Sequence, residues 1–328
     1  MYTDGVHVDR FLQELNRRSF GQDADAVTVG EMSSTSIERC IGYSKPENHE
    51  LNMVFNFHHL KVDYDQGQKW SKVPADIVAL KKILNEWAVG MQEGGGWNAL
   101  FWNNHDQPRA IDRFGNAGPL RVYTATMLAS VIHLLRGTPF VYQGEEIGMT
   151  DPRYTSIEQY VDVEARNAYQ ALLQAGHTEQ AAFEIVHAKA RDNSRTPMQW
   201  DSSEYAGFSS VQPWLEPTRQ DEINVEAEQA SGEILPFYQR LIELRHNMPI
   251  IAEGSYAPYA LEHEQVFAYW REYEQQRLLV LANLTGDNAE VEVPEAMLDA
   301  TLLVHNYSDP KPAAKMTLRA YETIALLK

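Results

Sequence analysis

The sequence predicts an α/β fold, with parallel βα units through most of the chain and a small antiparallel β domain at its end. Three observations carry this. Short apolar runs alternate with helical patterns up to Gly148. Polar, chemically able residues follow each apolar run directly. From Met248 onward, strand patterns joined by polar turns replace the helices.

Taken in order, "AVTVGE" (26–31), "LNMVFNF" (51–57), "WNALFW" (97–102) and "TPFVYQ" (138–143) read as strands. Between them, residues 8–20 place Phe11, Leu12 and Leu15 on one helical face. Residues 75–91 do the same with Ile77, Leu80, Leu84 and Trp87, and residues 120–135 with Met127, Leu128, Val131, Leu134 and Leu135. Strand, helix, strand, helix argues for parallel βα units. Residues from about 149 to 230 are polar and irregular, with helices near 165–173 and 179–191, and read as an excursion over the strand ends. A helix returns at 235–246. "VFAYWREYEQQRLLVLANLT" then reads as two strands around the turn "EYEQQ", with further strands at 290–293, 300–305 and 322–327. The expected division is residues 1–247 and 248–328.

Four parallel strands are an awkward number. A (β/α)8 barrel needs eight, within about 250 residues. Four in an open sheet leave unpaired edges, which native folds normally cover or close. Either the fold is another α/β type, or the chain is half of a barrel.

Composition excludes some classes of partner. The 328 residues carry a net charge of −18, which repels nucleic acid and anionic membranes. An anionic substrate would need a local basic pocket. The single cysteine, Cys40, allows no internal disulfide and points to a reducing cytoplasm. "MYTDGVHVDRF" is no secretory signal, and no apolar run is long enough to span a bilayer.

The chemistry-bearing residues fall at the strand ends, where parallel barrels carry their function. Glu31 ends the first run. His58, His59 and Lys61 follow the second, Asn103, Asn104, His105 and Asp106 the third, and Gln143, Glu145 and Glu146 the fourth. Glu31 and Asp106 are rim carboxylates on neighbouring units, and paired carboxylates perform glycoside hydrolysis. Strand-end carboxylates also cap helices, and the residues alone leave both readings open. His105 beside Asp106 has amide neighbours and no second ligand motif, so no metal site is expected. In "FHHLKVDYDQGQKW", His58, His59, Lys61 and Lys69 gather positive charge in an acidic chain. That suits an anion pocket for a phosphate monoester, and equally a solvated loop. Arg191 and Arg195 in "RDNSRTPMQW" are suited to salt bridges or to shaping a cleft, and "QGEEIG" to structural hydrogen bonding at a turn.

Together, "VTVGEMSS", "FNFHHLKVDY", "WNALFWNNHDQPR", "GTPFVYQGEEIGM" and "RDNSRTPMQW", in this order, resemble the α-amylase superfamily, glycoside hydrolase family 13. The resemblance runs over essentially the whole chain and is nearest to the branch that hydrolyses a phosphorylated disaccharide. It implies that Glu31 is the general acid/base. It implies that Asp106 is the third acidic residue, which holds sugar hydroxyls and stabilises the oxocarbenium-like transition state. His105 matches a hydroxyl-binding histidine in the same glucose subsite, and Arg109 a cleft arginine. The branch acting on unphosphorylated isomalto-sugars tends to have "EH" where His58 and His59 stand. That difference favours a phosphorylated disaccharide as the small-molecule partner, with Lys61 and Lys69 in the same phosphate role. The family's "GFR-x-D" nucleophile context and its "D-x-x-x-NH" motif do not occur here. The resemblance therefore implies the C-terminal half of a (β/α)8 barrel plus the β domain, a chain inactive alone, and a missing N-terminal half as partner. No cofactor is expected, because the family's calcium site would lie in that missing half.

Overall fold

The structure, a computed structural model, describes residues 3–328. Strands β1 (Val29–Met32), β2 (Met53–Asn56), β3 (Asn98–Leu100) and β4 (Thr138–Pro139) form one parallel sheet in the order β1-β2-β3-β4. The register aligns Glu31 with Phe55, Phe55 with Ala99, and Ala99 with Thr138, so one row crosses the whole sheet. Gly137 leads into β4 at φ 139°, and a Cβ there would lie 2.7 Å from the carbonyl oxygen of Asn98. Only glycine allows that approach. The sheet is open, and among the described residues neither β1 nor β4 has a second strand partner. β4 is shorter than its apolar run suggests: its last bond to β3 runs from the Phe140 N–H to the Leu100 carbonyl at 2.8 Å, and Pro139, which has no N–H to donate, sits on the open edge of the sheet.

Helices α1 (Val8–Arg18), α2 (Ile37–Ser44), α3 (Ile77–Gly94), α4 (Ala110–Phe114) and α5 (Arg121–His133) flank these strands. Their ends obey local chemistry. The Ser36 side chain accepts from the Arg39 N–H to start α2, and Asp76 accepts from Ala79 to start α3. Gly95, in the left-handed region, ends α3. In α1 the expected face is split: Leu12 packs with Val8 toward Cys40 and Tyr43, while Phe11 and Leu15 are 58% and 52% exposed. Cys40 is buried, and burial pushes its thiol up to about 12, so it is an inert packing residue.

The excursion holds α6 (Val163–Gln174), α7 (Glu179–Lys189), α8 (Asp192–Arg195) and α9 (Val225–Ser231). It packs a small core of its own, with Tyr154, Tyr160, Ala168, Val186 and Leu215. Helices α10 (Ile234–Asn247) and α11 (Pro249–Ala252) lead into the β domain. There, β5 (Ser255–Tyr259), β6 (Val266–Tyr273), β7 (Gln276–Asn283), β8 (Ala289–Glu292), β9 (Thr301–His305), β10 (Lys315–Leu318) and β11 (Thr323–Leu327) form two antiparallel sheets, β5-β6-β7-β11-β9 and β10-β8.

The continuous apolar runs of β6 and β7 have a simple cause. Successive side chains point to opposite faces, and both faces are covered. Phe267, Tyr269, Leu278 and Val280 face the main core with α5 and α10, while Val266, Ala268, Leu279 and Leu281 face the second sheet. Helix α5 is buried on every side from Thr124 to His133 because it lies between the parallel sheet and this β domain. Arg271 of β6 is fully buried and donates to the carbonyls of Leu134, Ile251, Gly254 and Ser255. Burial lowers its guanidinium to about 10, and four carbonyls satisfy it in place of a carboxylate. No described helix is long and apolar enough to cross a membrane.

Candidate active site

A cavity of about 210 Å³ opens at the C-terminal ends of the four strands. Its floor is aromatic. Phe55 meets Phe101 and Phe140 edge-on at 5.0 and 4.7 Å, and Phe57 meets Phe101 at 5.3 Å. Its rim is polar, with Glu31 from β1, Asn103, Asn104 and His105 after β3, and Tyr142 after β4. Glu31 is exposed and is the single carboxylate among these lining residues.

The two amides of "FWNNHD" are scaffolding. The buried Asn103 accepts from the Ala110 N–H at 2.7 Å and donates to Glu145 Oε2 at 2.6 Å. Asn104 accepts from the Asp106 N–H at 2.9 Å and closes the turn that presents His105. Glu145 also receives the Tyr238 hydroxyl at 2.9 Å, so α10 braces the rim from beneath. A structural role for the "QGEEIG" turn was legible in its residue types, but the partner Asn103 was not.

Burial pushes the Glu145 carboxyl up to about 7, and the hydrogen bonds from Asn103 and Tyr238 hold it back only in part. A carboxyl raised in the folded state favours its neutral form there. Its contribution to stability is intact below the ordinary value of 4.5 and is lost as pH rises toward about 7. Glu145→Gln is expected to remove a loss on the order of 3 kcal/mol across that window, read by urea unfolding at a series of pH values. Parallel curves for variant and wild type would show that Glu145 ionises freely.

The expected pairing of Glu31 with Asp106 is not what the geometry shows. His105 reaches the cavity, but Asp106 is absent from its wall. Its Oδ1 accepts from Arg195 Nη2 at 2.8 Å and faces Arg191 Nη1 at 3.5 Å, and its Oδ2 lies 3.5 Å from His105 Nε2. Two guanidiniums draw the carboxylate to the excursion side of the rim.

The anticipated cation pocket is also not assembled. His59 is buried, with Nε2 3.0 Å from the Phe101 carbonyl oxygen, and burial drops its ring to about 3, so it is a neutral core residue. His58 lies 4.9 Å from the Trp87 ring, and burial together with Lys61 lowers its ring as well. Lys61 donates to the Ser33 carbonyl at 2.8 Å, and Lys69 pairs with Glu164 at 3.1 Å. Each of the two lysines already has a partner, and neither histidine favours a positive charge. Arg109 departs from the cleft role too. It is 1% exposed, donates through Nη1 to the Gln143 carbonyl at 2.6 Å, and lies over the Tyr142 ring at 5.2 Å. It braces the rim from within. Sequence reasoning passed over Phe140 and Tyr142 as cavity residues, because both fall inside the run read as the fourth strand, where aromatics look like wall packing until the strands are side by side.

Among the described residues, no group of three or more His, Cys, Asp or Glu side chains gathers as a metal site would.

Comparison with known proteins fits this geometry. Residues 1–254 match the family "Alpha amylase, catalytic domain", and residues 266–325 the "Alpha-amylase SusG C-terminal domain". The trehalose-6-phosphate hydrolase of Bacillus subtilis (strain 168) is 46% identical over 98% of this chain and 58% of its own length. The oligo-1,6-glucosidase of Bacillus cereus is 41% identical over 98% of this chain and 59% of its own. The crystal structure of Bacillus licheniformis trehalose-6-phosphate hydrolase superposes with a TM-score of 0.95 at 46% identity, covering 99% of this chain and 60% of that one. The chain thus spans under two thirds of the relatives it matches. With its strand-end carboxylate, its sugar-sized cavity and these matches, the chain belongs to the α-amylase family of glycoside hydrolases, family 13.

Proposed function

We propose that the chain supplies the acid/base side of a retaining α-glucosidase that hydrolyses trehalose 6-phosphate to glucose and glucose 6-phosphate. The observation that carries the reading is Glu31 standing over an aromatic-floored cavity whose rim offers His105. In this reading Glu31 protonates the glycosidic oxygen as the bond to the sugar carbon breaks, and then takes a proton from the attacking water. His105 holds ring hydroxyls, and Asp106 joins it once sugar competes for its oxygens. A retaining mechanism needs a second carboxylate about 5–5.5 Å from the first. Glu31 has no such neighbour among the residues lining its cavity.

The same reading makes the chain the C-terminal half of a (β/α)8 barrel, residues 1–247, followed by the β domain, residues 248–328. Its partners are then a phosphorylated disaccharide and the remaining half of the barrel, in the cytoplasm, with neither nucleic acid nor membrane. The open edges of β1 and β4 and the limited coverage of the relatives support this. A second reading, an oligo-1,6-glucosidase acting on unphosphorylated sugar, is favoured by the engagement of Lys61 and Lys69 with protein partners. A third is a sugar-phosphate-binding module without catalysis.

The test is release of glucose 6-phosphate from trehalose 6-phosphate. It is run with this chain alone, and with this chain mixed with the segment of the B. subtilis relative that it does not match. Turnover on mixing and none by the chain alone is expected. Turnover by the pure chain would overturn the missing-nucleophile reading. Cleavage of isomaltose alone would favour the second reading, and binding without any cleavage the third.

A further inference from the structure

The excursion carries two arginines that the hydrolytic reading leaves without a task. Arg195, in α8, holds two consecutive residues of the rim at once. Its Nε donates to the His105 carbonyl at 2.7 Å, and its Nη2 donates to Asp106 Oδ1 at 2.8 Å. Its third arm, Nη1, donates to Asp162 Oδ2 at 3.1 Å. Asp162 is buried at the start of α6, where it accepts from the Glu164 N–H at 2.8 Å. Arg191 grips the same carboxylate through Nε at 2.6 Å and Nη2 at 2.9 Å, and lowers its carboxyl from the ordinary value. Asp192 fixes the backbone on the far side by accepting from the Val161 and Asp162 N–H groups at 2.8 and 2.9 Å. Ser194 adds a bond to the Gln107 carbonyl at 2.5 Å.

The anchor is therefore rigid, and the rim hangs from it. A planar guanidinium can serve a carbonyl and two carboxylates in fixed directions, whereas an ammonium is a single point of charge. We propose that Arg195 is a positioning residue: anchored on Asp162, it grips the His105 carbonyl and the Asp106 carboxylate and so fixes the turn that presents His105 to sugar hydroxyls in the Glu31 cavity. The inference rests on the reading of that cavity as a glucose site. Arg191, at 3.5 Å from Asp106, contributes mainly by holding Asp162.

Two readouts on the intact chain test it, hydrogen exchange of the amides from Asn104 to Gln107 and affinity for the glucose-like iminosugar 1-deoxynojirimycin. Arg195→Ala is expected to speed exchange there roughly tenfold and to weaken the iminosugar by a similar factor, because small displacements of oriented groups are costly. Melting temperature and exchange in the β domain stay as in wild type. Arg195→Lys should not restore either readout, while millimolar guanidinium ion added to Arg195→Ala should restore part of both. Arg191→Ala should change iminosugar affinity far less. Unchanged exchange at Asn104 to Gln107 in Arg195→Ala, or full recovery with lysine, would overturn the inference. A wild-type chain that ignores the iminosugar while exchange responds to Arg195→Ala would instead reject the glucose-site reading and leave the positioning role standing.

Discussion

Asp63→Ala is expected to cost about 3–5 kcal/mol of unfolding free energy, the scale for removing one partner of a buried ion pair. Asp63 receives Arg113 from α4 and Lys189 from α7, each at 2.5 Å, and all three side chains are at most 5% exposed. Burial alone would push the Asp63 carboxyl up, but the two cations outweigh it and hold the carboxyl below its ordinary value. Lys189 shows the opposite balance: burial lowers its ammonium, and the single carboxylate recovers only part of that. One anion shared by two cations accounts for both directions. Because the Asp63 carboxyl is depressed, its contribution is present above pH 3.8 and lost as pH falls through the folded value. The Ala variant leaves two buried cations without their partner. Urea unfolding near neutral pH measures the cost, and Asp63→Asn separates loss of charge from loss of the side chain. A cost under about 1 kcal/mol would mean that water or another carboxylate takes over, as at exposed pairs.

Glu31→Gln is expected to cut turnover by about 10²–10⁴ in the mixed, active preparation, the usual worth of a general acid/base. The loss should be largest for alkyl glucosides, whose leaving groups need a proton, and smallest for a nitrophenyl glucoside. Iminosugar affinity should hold within about threefold, since glutamine keeps the shape and the oxygen acceptor. Stability should not move, because Glu31 is exposed on the edge strand β1. An equal loss on both classes of leaving group would argue that Glu31 binds the sugar and does not transfer a proton.

Much of the frame was readable in the residues. The four apolar runs became the four parallel strands because polar turn residues end each of them, and after the first two a capped helix follows, started by Ser36 and Asp76. The excursion helices, expected at 165–173 and 179–191, lie within two residues of α6 and α7, because Asp162 and Thr178 mark their starts. Placing Glu31 and His105 at strand ends was also within reach, since side-chain chemistry follows directly on the apolar runs. The departures are burial and partner choices. His59 and Arg109 look like binding residues in a string of polar letters, yet one is 5% and the other 1% exposed. Asp106 looks free, yet arginines nearly ninety residues away hold it, at 89 positions for Arg195. In α1, periodicity identified an apolar stripe but not which part of it meets a neighbour.

The sequence by itself determined the order of βα units, the antiparallel end domain, the strand-end location of the chemistry and the family to which it points. These rest on local rules: side-chain period, capping and turn residues act within a few positions of one another. Only the tertiary structure decided which polar groups are available. Whether a histidine is charged, an arginine reaches solvent or a carboxylate faces a sugar depends on the desolvation and ion pairing imposed by segments far apart in the chain, and no local pattern encodes those distances.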